Sequence, residues 1–330
     1  MTHSPAASWT ATAHSNIALI KYWGKRDATL AIPATSSLSL TLDIYPTTTT
    51  VHFDGALDED RIELDGAALH GVARDRVVRF LDLVRERAGE ERRAVVDSMN
   101  AVPTGAGLAS SASGFAALAG AATAAAGLDL DPRALSRLAR RGSGSASRSI
   151  FGGLVQWNAG HDDESSFAEP LDAEVPGLTM LVAVVNAAEK SVSSRVGMQR
   201  TMDTSPFFEP WVTRSSDDLT AMRAAIEAAD IGRMATIAEA NALGMHATML
   251  GAVPPFSYWE PDSVRVMGLV RRLREEGMDC GFTMDAGPNV KIICRDSDAA
   301  ALEQALGEVL PGDAVVRAQA GPSIAIRLNR

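Results

Sequence analysis

Between a strand predicted at Ala94 to Asn100 and an alanine-rich helix predicted over Ser111 to Ala126 runs the segment Pro103-Thr-Gly-Ala-Gly-Leu-Ala-Ser-Ser-Ala-Ser-Gly114. A strand that passes through glycine and serine straight into a helix start constrains the fold more than any other stretch of this chain. Glycines let the backbone approach a ligand closely, and the free N–H groups at a helix start favour phosphate. Pro103, Gly105, Ala106, Gly107, Leu108 and Ala109, with the hydroxyls of Ser110, Ser111 and Ser113, are therefore a candidate anion cradle. The segment lacks the Gly-Lys-Ser/Thr ending of a Walker A loop and the spacing of a dinucleotide fingerprint. Taken alone, it also suits a plain turn and helix cap.

Around this segment the pattern predicts extended stretches at Trp9 to Lys21, Ser37 to Asp43 and Thr47 to Phe53, then a helix from about Val72 to Ala88. Another helix begins at Asp131-Pro132, an acid N-cap before proline at the first helical position. Strands follow at Gly153 to Trp157 and Leu178 to Asn186, then helices at Asp217 to Ala229, Gly232 to Met249 and Ser263 to Glu276. The chain returns to strands at Cys280 to Met284, Val290 to Cys294 and Ser323 to Leu328, with a helix from about Asp298 to Leu310. This is mixed α+β without regular alternation, and the shift to helix places a lobe boundary near Asn186.

Apolar runs such as Leu178 to Val185 fall short of the ~20 residues that cross a bilayer, and no charged-then-apolar leader opens the sequence, so a cytoplasmic protein is expected. Cys280 and Cys294 are too few for a disulfide scaffold or a zinc site. A net charge of −10 disfavours nucleic acid, which needs a basic face. An anionic small molecule would need a local basic pocket, and lysine usage points to one. Of 31 basic residues only Lys21, Lys25, Lys190 and Lys291 are lysine. A compact, mobile point charge retained against an arginine background suggests sites where a planar fork would not serve.

Three of these lysines lie in distinctive segments. Asn16-Ile-Ala-Leu-Ile-Lys-Tyr-Trp-Gly-Lys-Arg-Asp27 ends a strand with Lys21, Tyr22 and Lys25, able to hold an anion against an apolar wall, or simply a solvated strand end. Glu189-Lys-Ser-Val-Ser-Ser-Arg-Val-Gly-Met198 offers Lys190, Ser194 and Arg195, or an ordinary basic helix start. Gly142-Ser-Gly-Ser-Ala-Ser-Arg-Ser149 could grip an anion through Arg148, or be a flexible loop with a solvated arginine. In Thr283-Met-Asp-Ala-Gly-Pro-Asn289, Asp285 either caps a turn or, facing a basic pocket, stays ionised to accept a proton from a substrate hydroxyl. His246 reads as a packed or capping residue.

Taken together and in this order, N-I-A-L-I-K-Y-W-G-K-R-D, P-T-G-A-G-L-A-S-S-A-S-G, G-S-G-S-A-S-R-S with its following F-G-G, and D-A-G-P-N resemble the diphosphomevalonate decarboxylases of the GHMP kinase superfamily, over roughly residues 8 to 295. The first motif is specific to that family, while the serine-rich loop marks only the superfamily. Gly105, commonly alanine in the family, and Ser147, often cysteine, are departures that remove no needed chemical group.

The resemblance implies a two-lobed GHMP kinase fold, with a ribosomal-protein-S5-like lobe over 1–186 and a ferredoxin-like lobe over 187–330. It implies a homodimer that uses ATP and magnesium. ATP phosphates would sit on Gly105 to Ser113, with Ser110 and Ser111 as phosphate or metal contacts. The substrate diphosphate would meet Tyr22, Lys25, Ser143, Ser145, Ser194 and Arg195, with Gly144 and Met198 beside them. Arg148 would hold the substrate carboxylate, Asp285 would be the catalytic aspartate, and Lys21 and Lys190 would line the reacting centre. The activity implied is phosphorylation of the 3-hydroxyl of 5-diphosphomevalonate followed by loss of carbon dioxide, giving isopentenyl diphosphate. Rivals are a phosphomevalonate decarboxylase, a mevalonate 3-kinase and a noncatalytic phosphate-binding regulator.

Overall fold

The computed structural model of the chain describes residues 7–101, 110–186, 192–311 and 313–329, with Ser110 described only in its backbone. The predicted contacts at Pro103 to Ala109, the side chain of Ser110 and Lys190 lie outside the described residues.

The first part of the chain contains β1 (Trp9–Ile20), β2 (Lys25–Asp27), β3 (Ile32–Pro33), β4 (Ser37–Asp54), β5 (Arg61–Leu64), β6 (Ala67–Ala68), α1 (Gly71–Ala88), β7 (Arg93–Asn100), α2 (Ser110–Ala125) and α3 (Pro132–Gly142). A buried 3₁₀ turn, Gly144–Ile150, precedes β8 (Leu154–Trp157) and β9 (Ala168–Pro170). The second part contains β10 (Leu178–Ala183), α4 (Ser194–Thr204), α5 (Phe208–Glu227), α6 (Ile231–Leu250), α7 (Pro261–Glu275), β11 (Gly281–Met284), β12 (Val290–Arg295), α8 (Asp296–Gly307), β13 (Val315–Ala318) and β14 (Ala325–Leu328).

Two sheets organise these elements. One has eight strands along the path β14-β1-β4-β7-β5-β6, with β8 and β9 branching from β4; the other runs β11-β12-β10-β13 with every pairing antiparallel. Alternation decides the layers, because side chains along a strand point to opposite faces. Ala11, Ala13, Val51 and Phe53 join Phe80, Leu81, Phe115 and Leu138 of α1 to α3 in one core. Further along the same strands, Ile17, Leu19, Leu38 and Leu40 pack with Met222, Ile226 and Met234 of α5 and α6, and with Met180, Val182 and Ile293 of the second sheet. The opposite face of that second sheet is covered by α7 and α8.

Several expectations are met at the level of local chemistry. The carboxylate of Asp131 accepts the Ala134 N–H at 2.7 Å, capping α3 ahead of Pro132 as predicted. The stretches at 37–43 and 47–53 form one strand, bent where Tyr45 adopts φ 55° before Pro46 and the register with β1 shifts. The helix expected from Asp217 begins at Phe208, where Phe208 and Trp211 are buried as anchors. A division at residue 186 would leave β10 in the first lobe, yet its ladder partners are β12 and β13. All six of its side chains are buried, as an interior strand covered on both faces requires. Conversely β14, last in sequence, pairs with β1 of the first sheet.

Candidate active site

The reacting groups converge where the two sheets meet. The chain leaves β1 at Lys21, whose backbone N–H donates to Asn241 Oδ1 on α6 at 2.8 Å, so the end of the first strand is tied to the second lobe. Asp285 lies in the turn between β11 and β12, and Lys21 Nζ donates to its Oδ1 at 2.7 Å and to the Ala18 carbonyl at 2.8 Å. On the other oxygen, Oδ2, stands Lys291 Nζ at 3.3 Å. Burial alone would raise the Asp285 carboxyl, but Lys21 and Lys291 outweigh it and hold the group well below the usual carboxylate range. Burial pulls Lys21 down to about 8 against the attraction of Asp285.

Arg148, 2% exposed, settles the alternative of a solvated loop. A buried guanidinium must have its donors satisfied. Nε donates to Asn16 Oδ1 at 3.2 Å and Ser39 Oγ at 3.0 Å, one terminal nitrogen to Ser37 Oγ at 2.6 Å and the other to Asn16 Oδ1 at 3.1 Å. Asn16 in turn donates to the Ser145 carbonyl at 3.0 Å and to Ser149 Oγ at 2.7 Å, locking the 3₁₀ turn onto β1. These partners are neutral, so the Arg148 charge is not cancelled by its anchors. Burial lowers its pKa to about 10, which leaves it protonated at neutral pH.

A cleft of about 980 Å³ opens from this centre, within the usual size of small-molecule sites. Of the candidate site residues, Lys21, Tyr22, Lys25, Ser111, Ser143, Gly144, Ser145, Arg148, Ser194, Arg195, Met198 and Asp285 line it together. On α4, Arg195, Met198, Gln199 and Met202 face the cleft at helical spacing. The helix is held there by Trp23, whose indole N–H donates to Thr201 Oγ1 at 2.8 Å. The Tyr22 ring lies 4.8 Å from that of Trp157, and burial raises its phenol pKa, keeping it a neutral donor.

Ser113 is a correction. Its hydroxyl, fully buried, bonds to Thr47 Oγ1 at 2.8 Å and lies 3.4 Å from Ser15 Oγ, while Ser111 lines the cleft. Two residues along a helix turn the side chain by about 200°, so alternate serines cannot share a face. Sequence reasoning also left out Arg76 of α1, which lines the cleft, and Lys291, which touches Asp285 from outside it. Arg76 lies in an arginine-rich background and carries no signal; the scarcity of lysine was the signal for Lys291.

Gly144 shows how closely the walls fit, since a Cβ there would come 2.7 Å from Tyr22 Oη. Gly144→Ala is expected to displace the phenol and lower kcat/KM by about tenfold or more, because small misplacements at a site are costly. Steady-state kinetics beside a thermal unfolding curve would check it, an unchanged kcat/KM being the contrary result.

A two-lobed α+β body with buried Lys21 and Arg148 beside a half-exposed Asp285 at the foot of a cation-lined cleft is an enzyme of the GHMP kinase type, built to act on an anionic small molecule. Family comparison narrows the class. Residues 13–168 match the diphosphomevalonate decarboxylase-like N-terminal domain, and residues 180–325 match the mevalonate 5-diphosphate decarboxylase C-terminal domain. The human diphosphomevalonate decarboxylase is 38% identical over 93% of this chain and 82% of its own length. A solved mevalonate diphosphate decarboxylase from Enterococcus faecalis is 50% identical, with TM-score 0.94, over 98% of this chain and 99% of that one. The Staphylococcus aureus enzyme is 44% identical, with TM-score 0.94, over 97% and 98%. A further structure, described as MDDEF in complex with MVAPP, AMPPCP and magnesium, is 51% identical, with TM-score 0.95, over 98% of this chain and 99% of that one. The chain belongs to the diphosphomevalonate decarboxylase family.

Proposed function

We propose that this chain converts (R)-5-diphosphomevalonate and ATP to isopentenyl diphosphate, ADP, phosphate and carbon dioxide, with Lys21, Arg148 and Asp285 as its catalytic residues. The observation that carries the reading is the division of charge in the cleft. At its foot a carboxylate is paired with lysine beside an arginine whose hydrogen-bond anchors are all neutral. Toward its mouth, Lys25, Arg76 and Arg195 line the wall with no carboxylate ion-paired to any of them among the described residues. Burial, then the repulsion of Arg195 and Arg76, depresses the Lys25 ammonium, the mark of a cluster awaiting an anion. In a chain of net charge −10, such a cluster suits a diphosphate. A monophosphate would leave part of it uncompensated, and a regulator would not need the Lys21–Asp285 pair.

Tyr22, Ser143, Ser145 and Ser194 complete the diphosphate pocket as neutral donors. Asp285 accepts a hydrogen bond from the 3-hydroxyl. Held far below ordinary carboxylate basicity, it takes the proton only as that oxygen bonds to phosphorus and becomes acidic. Positioning supplies most of the acceleration in such a loose phosphoryl transfer. The 3-phosphate then leaves with the C3–O electron pair, while the C1–C2 pair becomes the C2–C3 double bond and C1 departs as carbon dioxide. Lys21 stabilises the leaving phosphate, and Arg148 holds the carboxylate in line with the breaking bond.

Magnesium typically keeps several waters and binds through substrate phosphates with one or two protein oxygens. The exposed Ser111 at the start of α2 fits that role, and among the described residues no group of three or more His, Cys, Asp or Glu could hold a metal by itself. The metal would offset phosphate charge. Ser110, Lys190 and the segment from Pro103 to Ala109 keep their proposed ATP and substrate roles. The reading also carries a homodimer, as the sequence resemblance implies, and the cytoplasmic location expected from the sequence. Among the described residues no helix is long and apolar enough to cross a membrane.

The test supplies purified protein with ATP, magnesium and, separately, mevalonate, 5-phosphomevalonate or 5-diphosphomevalonate, and measures ADP and carbon dioxide together. Equal amounts of both from the diphosphate are expected. ADP without carbon dioxide would point to a kinase and overturn the decarboxylase reading, and preference for the monophosphate would overturn the substrate assignment.

A further inference from the structure

We propose that Lys291 is a positioning residue that keeps Asp285 ionised and aimed, so that the Lys21 ammonium is free to turn to the substrate. The proposal rests on the reading of Asp285 and Lys21 given above and assigns a role to a residue that does not line the cleft.

The argument begins with register. Lys291 lies opposite Thr283 on β11 and Val182 on β10, so the three side chains leave the same face of the sheet. That face is apolar: Val182 and Ile293 on it pack against Ile17, Leu19 and Ile20 of the first sheet. Lys291 is 2% exposed. An ammonium in such surroundings needs a charged partner, and the ion pair it makes is with Asp285 Oδ2 at 3.3 Å, beside a hydrogen bond to the Asn289 carbonyl at 3.2 Å. Asn289 closes the same turn, its Oδ1 accepting the N–H groups of Val185 and Asn186 at 2.8 and 3.0 Å. Lys291 therefore braces both ends of the turn that carries Asp285.

The two lysines are not equivalent. Lys21 and Asp285 line the cleft and Lys291 does not, so a ligand reaches the first pair and not the third residue. Each takes a different carboxylate oxygen, Lys21 Oδ1 and Lys291 Oδ2. If Lys21 alone neutralised Asp285, its movement toward a leaving phosphate would strip the carboxylate of its partner. A second cation behind the turn removes that conflict. The groups that bear on Asp285 are Lys21 from the end of β1, Lys291 from β12, Arg148 from the 3₁₀ turn and His246 from α6. His246 is buried and held down to about 4, chiefly by burial and then by Lys21, so it is neutral and supplies no replacement charge.

The experiment compares the unsubstituted enzyme with Lys291→Met in kcat and in KM for ATP at neutral pH, with circular dichroism to check folding. With one of the two cations removed, Lys21 is the sole ammonium on the Asp285 carboxylate and is kept there. kcat is expected to fall about tenfold or more, with KM for ATP little changed. An unchanged kcat would overturn the proposal. A second measurement needs no activity, so it separates failure of this inference from failure of the functional reading. Lys291→Met should lower the thermal midpoint more in the parent than in an Asp285→Asn background, because the attraction it removes is already absent there. Were Lys291→Met alone unable to fold, adding Asp285→Asn should restore folding. Equal midpoint changes in both backgrounds, or no restoration, would overturn the proposal.

Discussion

Asp285→Asn is expected to abolish ADP and carbon dioxide formation together, by at least ~10³-fold. The change keeps the shape of the side chain and removes its charge. Lys21 and Lys291 then face each other's field with no anion between them, and the substrate hydroxyl loses the acceptor that orients it. Phosphorylation precedes loss of carbon dioxide, so neither product should form without the other. The measurement is parallel ADP and carbon dioxide release, with ATP binding followed by fluorescence titration to show that the cleft is intact. Turnover within about tenfold of the parent would remove Asp285 from the reaction.

The second large effect concerns Arg148. Arg148→Lys is expected to lower kcat/KM by about 10²- to 10³-fold, although the charge is kept. The guanidinium spreads its donors over Asn16, Ser37 and Ser39 on two strands while keeping its charge for the substrate. A single ammonium cannot reproduce that fork. Asn16 or the two serines would be left short of a partner inside the protein, costing about 1–3 kcal/mol. Kinetics with a denaturant unfolding curve would separate the two losses. Full activity in the lysine variant would show that charge alone suffices at this position.

What could be read from the sequence followed what local chemistry determines. Lys21, Arg148 and Asp285 each sit in a segment with a distinctive neighbourhood, and the structure brings Lys21 and Asp285 into contact with Arg148 lining the same cleft. Helix caps were legible for the same reason, since Asp131 needs only its own next three residues. Features that depend on how elements meet were not. Ser111 and Ser113 look alike in a run of serines, and the turn of the helix sends one to the cleft and the other to Thr47. Arg76 joins Lys25 and Arg195 only because α1 packs beside them, and among 27 arginines nothing marks it. Lys291 sits in a strand pattern without a motif, so its role came into view only with its partner.

The pairing of β14 with β1 has a bearing on how such a chain is made. The strand that borders the first sheet lies after the whole of the second lobe in sequence, so a nascent chain emerging in order holds the β1 edge unpaired until nearly everything else has been synthesised. An open strand edge is a template for unwanted pairing. Gly120 of α2, where a Cβ would come 2.7 Å from Ile324, marks how tightly the returning segment must seat. The two lobes are thus stitched by their own connectivity, and an amino-terminal fragment ending near residue 186 would expose the edge that the intact chain covers last.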